Sequence, residues 1–154
     1  MSEYKVEKDH FPVTLFFLDG TEKEGDIFLS LHAAEHEGHE LAVDVLNQRE
    51  QFIPVQFKDE RVGLIRKRNI LMISFPLDQQ GPEYSVFADV TVEVAIHLVT
   101  HRCLEGNFFF VLPLHARRVK DFLNQPEPFV ELRKDKEVYL VNKDHVLSVE
   151  EKSR

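Results

Sequence analysis

The string Asp44-Val45-Leu46-Asn47-Gln48 returns as Asp121-Phe122-Leu123-Asn124-Gln125, and in both places a phenylalanine stands four residues beyond the glutamine, at Phe52 and Phe129. Upstream, FLSLHA at 28–33 is echoed by VLPLHA at 111–116, and each run is preceded by a Glu-Gly pair, Glu24-Gly25 and Glu105-Gly106. A chain that repeats itself in this way is expected to fold as two similar units. Each unit would hold about 65 residues, close to the lower limit for a self-sufficient core. Units of that size gain stability by packing on a neighbour. Residues 76–85, PLDQQGPEYS, carry two prolines and a glycine and read as the linker between a first unit at 1–75 and a second at 86–154.

Within each unit the pattern is mostly that of strands. Val13 to Leu18 alternates and is rich in β formers, Asp19-Gly20 supplies a tight turn, and Ile27 to Leu31 returns. Phe52–Phe57, Val62–Ile65 and Ile70–Phe75 follow, with Lys58-Asp59-Glu60 as a turn. The second unit repeats the scheme with Val90–Val99, Asn107–Leu114, Phe129–Arg133, Val138–Val141 and Val146–Val149. Between the second and third strands of each unit, Ala42, Val45 and Leu46, and again Val119, Phe122 and Leu123, have the i, i+3, i+4 spacing of a short helix. Asn47 and Asn124 then fall where a left-handed C-cap is expected, and Pro126 reinforces the second stop. The run Phe108-Phe109-Phe110-Val111-Leu112 lacks polar alternation, so both its faces need cover. One face would make the unit's core; the other is expected to meet the sister unit or a second chain, which makes Phe108, Phe109 and Phe110 interface candidates.

Five short strands and tight turns in so short a unit fit a small closed or nearly closed barrel. Val13-Thr-Leu-Phe-Phe-Leu-Asp-Gly20, the glycine at 25, and Leu64-Ile-Arg-Lys-Arg-Asn-Ile70 resemble the two motifs of Sm-like proteins. The unit is also similar to an uncharacterised bacterial domain family marked by Asp-x-Leu-Asn followed by Phe. That family continues with Leu-x-Asn-Lys-x-x-Val, present here as Leu140-Val-Asn142-Lys143-Asp-His-Val146. The resemblance covers about 13–75 and 90–150. It implies a mainly β protein of two tandem Sm-like (SH3-like) five-stranded barrels, each with one short helix between strands 2 and 3. It also implies ring-like self-assembly and, as an alternative activity, binding of single-stranded RNA. The RNA-contacting positions would be Asn47, Arg66, Lys67 and Arg68 in the first unit and Asn142 and Lys143 in the second. Lys67 stands where the family has glycine, and Asn142-Lys143 replaces its Arg-Gly pair.

Charge argues against the RNA activity. The chain has 154 residues, with 27 Asp and Glu against 19 Lys and Arg, a net −8. An acidic chain has no general attraction for a phosphate backbone, and the Arg66-Lys67-Arg68 run has no obvious aromatic neighbour on which a base could stack. His32, His36 and His39 could share a helix face and chelate a metal; His32-Ala-Ala-Glu35-His36 also matches H-x-x-E-H. The second unit keeps only His115, so a solvated His- and Glu-rich loop is the expectation, and no metal or cofactor is assigned. Cys103, the single cysteine, could share a strand face with His97 and His101, but no base or lowered pKa is visible in the sequence to activate it. One cysteine, a charged N-terminus without the apolar segment of a signal peptide, and no long apolar run lead us to expect a cytoplasmic protein outside the membrane. The expected function is that of a non-enzymatic scaffold that self-assembles or binds a protein partner through strand edges.

Overall fold

The computed structural model describes residues 8–33, 38–80, 90–110 and 118–152. The first half contains β1 (Lys8–Phe17), β2 (Glu22–Ser30), α1 (Ala42–Asn47), β3 (Phe52–Phe57), β4 (Val62–Arg66) and β5 (Ile70–Pro76). The second contains β6 (Val90–Leu98), β7 (Cys103–Phe110), α2 (Val119–Leu123), β8 (Phe129–Lys134), β9 (Glu137–Asn142) and β10 (Val146–Glu151). The protein is mainly β. All ten strands join in one antiparallel sheet that does not close, ordered β10-β6-β7-β8-β9-β5-β1-β2-β3-β4.

The order follows from the hairpins. Asp19 holds the first one: its carboxylate accepts from the Thr21 N–H at 3.0 Å and the Thr21 hydroxyl at 2.7 Å, while Gly20 takes φ +90°. β7 starts at Cys103 rather than Asn107, because the link from β6 is a tight turn with His101 at φ 69° and not a long connection. β1 likewise starts at Lys8: its polar first residues run exposed beside β2.

β5 joins the halves. It pairs with β1 on one side and with β9 on the other, through Met72↔Val141, Ile73↔Leu140, Ser74↔Tyr139 and Phe75↔Val138. With both neighbours in place, every residue from Ile70 to Phe75 is buried. Its side chains serve two cores. Ile70, Ile73 and Phe75 join a first cluster that takes in Phe129, Val138 and Leu140 from the second half. Leu71 and Met72 join the other, among Val94, Leu132 and Val141. This is the strand apolar on both faces, and both are covered within the chain.

β7 behaves differently from the expectation drawn from its phenylalanines. Phe108 and Phe110 point into the second cluster, where both rings contact Phe122. Phe109 faces the opposite way, with the Arg133 guanidinium 4.6 Å from its ring centre. Its cover comes from the neighbouring strand of its own half.

The two Glu-Gly pairs have a steric reason. A Cβ on Gly106 would lie 2.6 Å from the Arg133 carbonyl oxygen and 3.0 Å from Leu132 Cγ; on Gly25 it would lie 2.7 Å from Val55 Cγ1 and 3.2 Å from the Gln56 oxygen. β2 and β7 thus approach β3 and β8 too closely for any side chain there. Gly106→Ala is expected to cost about 1–3 kcal/mol, since the first obstacle is backbone. A urea midpoint unchanged from the parent chain would show that β8 moves aside freely.

Candidate functional site

The recurring Asp-x-Leu-Asn-Gln string builds a helix end and the support beneath it. The Asp44 carboxylate reaches back to the Leu41 N–H at 2.8 Å, satisfying a donor ahead of the first turn and complementing the helix dipole. Leu46 is fully buried in the first cluster. The carbonyls left over at the helix end are taken by an amino group. Lys67 Nζ donates to the Leu46 oxygen at 3.2 Å and the Gln48 oxygen at 2.5 Å. Lys143 does the same in the second half, to the Leu123 oxygen at 3.0 Å and the Gln125 oxygen at 2.5 Å. Burial pulls both ammonium groups below the ordinary lysine value; Glu50 opposes this at Lys67, as do Glu127 and Asp144 at Lys143.

These latches correct the expectation of left-handed asparagine caps. Asn124 has φ −89°, and among the described residues only Glu60, His101 and Asp135 are non-glycines with positive φ. With the orphan carbonyls held by lysine, the helix needs no left-handed turn, and Asn47 is freed for another task. Its Oδ1 accepts from the Phe129 N–H at 2.8 Å and its Nδ2 lies 3.4 Å from the Phe129 oxygen, 82 residues away. Asn47 thereby clasps the start of β8. On the same seam Asn142, buried, donates to the Ile70 oxygen at 3.1 Å and lies 3.4 Å from that of Lys67. The His145 ring nitrogen sits 2.5 Å from the Arg68 oxygen.

Of the six residues proposed from the sequence for RNA, Asn47, Lys67, Asn142 and Lys143 are therefore engaged by the chain's own backbone. Arg66 and Arg68 remain. The aromatic partner not visible in the sequence is Phe52, whose ring centre lies 4.8 Å from the Arg66 guanidinium carbon. Sequence reasoning missed the lysine latches and the seam contacts of Asn47. The signal for the latches was present, since a lysine recurs three residues before Ile70 and three before Val146.

The other candidates are dispersed. His36 lies outside the described residues, His32 and His39 are exposed, and Glu40 is buried on the Ser30 N–H at 2.9 Å and the Gln48 amide at 2.6 Å. Among the described residues no group of three or more metal-ligating side chains converges. Cys103 is exposed opposite His97, whose Nε2 is 3.0 Å from Glu150. No helix among the described residues is long and apolar enough to cross a membrane.

What stands out is a set of four positions at the ends of the sheet. Registers identify them. Phe52↔Arg66 in β3–β4 matches Phe129↔Asn142 in β8–β9, so Val62 and Leu64 stand where Val138 and Leu140 stand. β5 slips one residue against β1, and β10 one against β6, leaving Leu71 and Leu147 as the extra residues. Phe129, Val138, Leu140 and Leu71, on the seam between halves, are 4%, 0%, 0% and 3% exposed; Phe52, Val62, Leu64 and Leu147 are 41%, 57%, 70% and 72% exposed. The same residue types are covered in one place and open in the other. No family model, no curated protein and no solved structure matches the chain.

Proposed function

We propose that this chain is a non-enzymatic, cytoplasmic scaffold made of two copies of one five-stranded Sm-like unit, which self-assembles through its two terminal strands. The observation that carries the reading is the run of apolar side chains left open on β4 and β10. Val62, Leu64 and Leu147 are the largest exposures among the aliphatic residues described. A sheet edge carrying such residues is a template for another strand unless charge or a bulge blunts it. β4 has neither device between Val62 and Ile65, which run without a charge, whereas β10 has a bulge at Leu147 and carries Glu150 and Glu151; β5 pairs with β9 despite the same bulge. Their counterparts on the seam are fully buried by a strand that pairs with them.

Sedimentation velocity over a broad concentration range tests this. The expected result is a concentration-dependent mass above that of one chain. A strict monomer throughout would overturn it.

A further inference from the structure

We infer that the strand received by β4 is β10 of a second copy of this chain, held in the register that β5 and β9 already use inside one chain, with Asn124 as the intermolecular clasp. The inference rests on the self-assembly reading and adds which edge meets which, and where.

The seam is a worked example of the contact. β5 lies antiparallel to β9 with Met72↔Val141, Ile73↔Leu140, Ser74↔Tyr139 and Phe75↔Val138. Replacing each residue by its counterpart from the registers above gives Ser148↔Ile65, Val149↔Leu64, Glu150↔Gly63 and Glu151↔Val62. Leu147 then takes the place of Leu71, which on the seam crosses from its own half into the core of the other. Leu64 takes that of Leu140, which crosses in the opposite sense. Leu64 and Leu147 thus each acquire cover in one move, while Val62 comes opposite Glu151.

The clasp follows from the same transposition. Asn47 stands one residue beyond Leu46 and holds the backbone of Phe129; Asn124 stands one residue beyond Leu123, and the matching backbone is that of Phe52. In the single chain the Asn124 amide is exposed and, among the described residues, donates to its own helix, to the Lys120 oxygen at 2.8 Å. Releasing that local bond leaves it able to donate to and accept from the Phe52 peptide of the next copy.

Charge disfavours the alternative of two β10 strands side by side. β10 ends in Glu150 and Glu151, so two β10 strands side by side would set four carboxylates along one ladder, whereas β4 is preceded by Arg61 and closes with Arg66. In the transposed register Glu150 faces Gly63 and Lys152 faces Arg61, so the like pair is offset by Glu150, one diagonal step from Arg61 and within reach of long side chains. The contact is accordingly head to tail, and repeats into a ring or a filament according to whether its rotation closes.

Two variants at exposed positions, Leu64→Asp and Leu147→Asp, test the arrangement, with circular dichroism to verify that each folds. Every head-to-tail contact needs one intact edge of each kind, so either variant alone should be monomeric, and an equimolar mixture should give a one-to-one pair by light scattering. If either variant alone dimerises, or the mixture stays monomeric while the parent chain assembles, the head-to-tail assignment is overturned and self-assembly stands. A monomeric parent chain overturns both. Asn124→Ala should raise the dissociation constant about tenfold, the worth of two exposed-to-buried hydrogen bonds; an unchanged constant removes the clasp. In a Cys103→Ser background, Leu64→Cys on one chain and Val149→Cys on another should form a disulfide on mixing. Leu64→Cys with Glu151→Cys should not, and equal linkage of the two pairs would overturn the register.

Discussion

Leu140→Ala is expected to lower the stability of the isolated chain by about 2–5 kcal/mol, and Leu64→Ala by roughly 0.5 kcal/mol or less. Both are leucines at the same place in a strand, two positions before the residue that pairs with the recurring phenylalanine. They differ in what lies on the open side. β5 runs beside β9, and Leu140 is enclosed with Phe75 and Phe129 at zero exposure; among the described residues no strand lies on the outer side of β4, and Leu64 is 70% exposed. Deleting the enclosed side chain loses its transfer free energy and leaves a cavity that a central strand cannot close. Deleting the open one removes atoms already in water. Urea unfolding at low protein concentration reads the difference, because there assembly adds nothing to the folded state. At high concentration Leu64→Ala should acquire a deficit, since a contact made only between folded chains stabilises them by mass action. Equal costs at low concentration would mean that Leu64 is already covered in the single chain, which would remove the main support for open edges.

The strands were legible because each carries its signal locally. Phe52–Phe57 was read end for end, and β4, β5, β8, β9 and β10 to within one or two residues, since alternation, turn residues and β-branched side chains all lie inside the segment. α1 and α2 are short helices at Ala42–Asn47 and Val119–Leu123. The failures at the candidate site share a cause: the deciding partner lies far along the chain. Asn47 reads as a cap until the Phe129 peptide is brought to it from 82 residues away, and Lys67 reads as a free cation until the Leu46 and Gln48 carbonyls close on it. Backbone acceptors have no sequence signature, so a lysine that latches a helix cannot be told from one awaiting a phosphate. The same holds for the apolar strands. Phe108-Phe109-Phe110 attracted the two-faced argument, yet Ile70–Phe75 is the segment buried throughout, because position in the sheet and not composition decides how many faces are covered. The candidate edges were invisible in the sequence for a related reason. Val62 and Val138, or Leu64 and Leu140, are alike as letters; only the strand order separates an end from a seam.

Arg133→Met should cost about 3 kcal/mol at neutral pH, with much of the loss returning in acid. Glu131 and Arg133 project from the same face of β8, their side chains 15% and 12% exposed, with Nε 2.7 Å from Oε2. Burial pushes the Glu131 carboxyl above its ordinary range, and the Arg133 guanidinium only partly pulls it back. Removing the arginine leaves a desolvated carboxylate without the Arg133 guanidinium, the expensive way to break a buried pair, and, among other contacts of Arg133, strips the cation from the Phe109 ring. The sign of the pH effect follows from proton binding. With its folded pKa above the unfolded value of about 4.3, Glu131 keeps a proton in the native state at pH values where the unfolded chain has lost it. Stability is therefore highest below the unfolded value and falls as pH rises through the folded one. In Arg133→Met nothing opposes the upward push, so the fall is larger and extends further toward neutrality. Adding Glu131→Gln should restore most of the neutral-pH loss and flatten the profile, because the amide carries no charge to desolvate. Urea midpoints of the parent, the single and the double variant across that range decide the matter. A deficit in Arg133→Met that is constant with pH and unrelieved by Glu131→Gln would show that Arg133 does not act through the Glu131 charge.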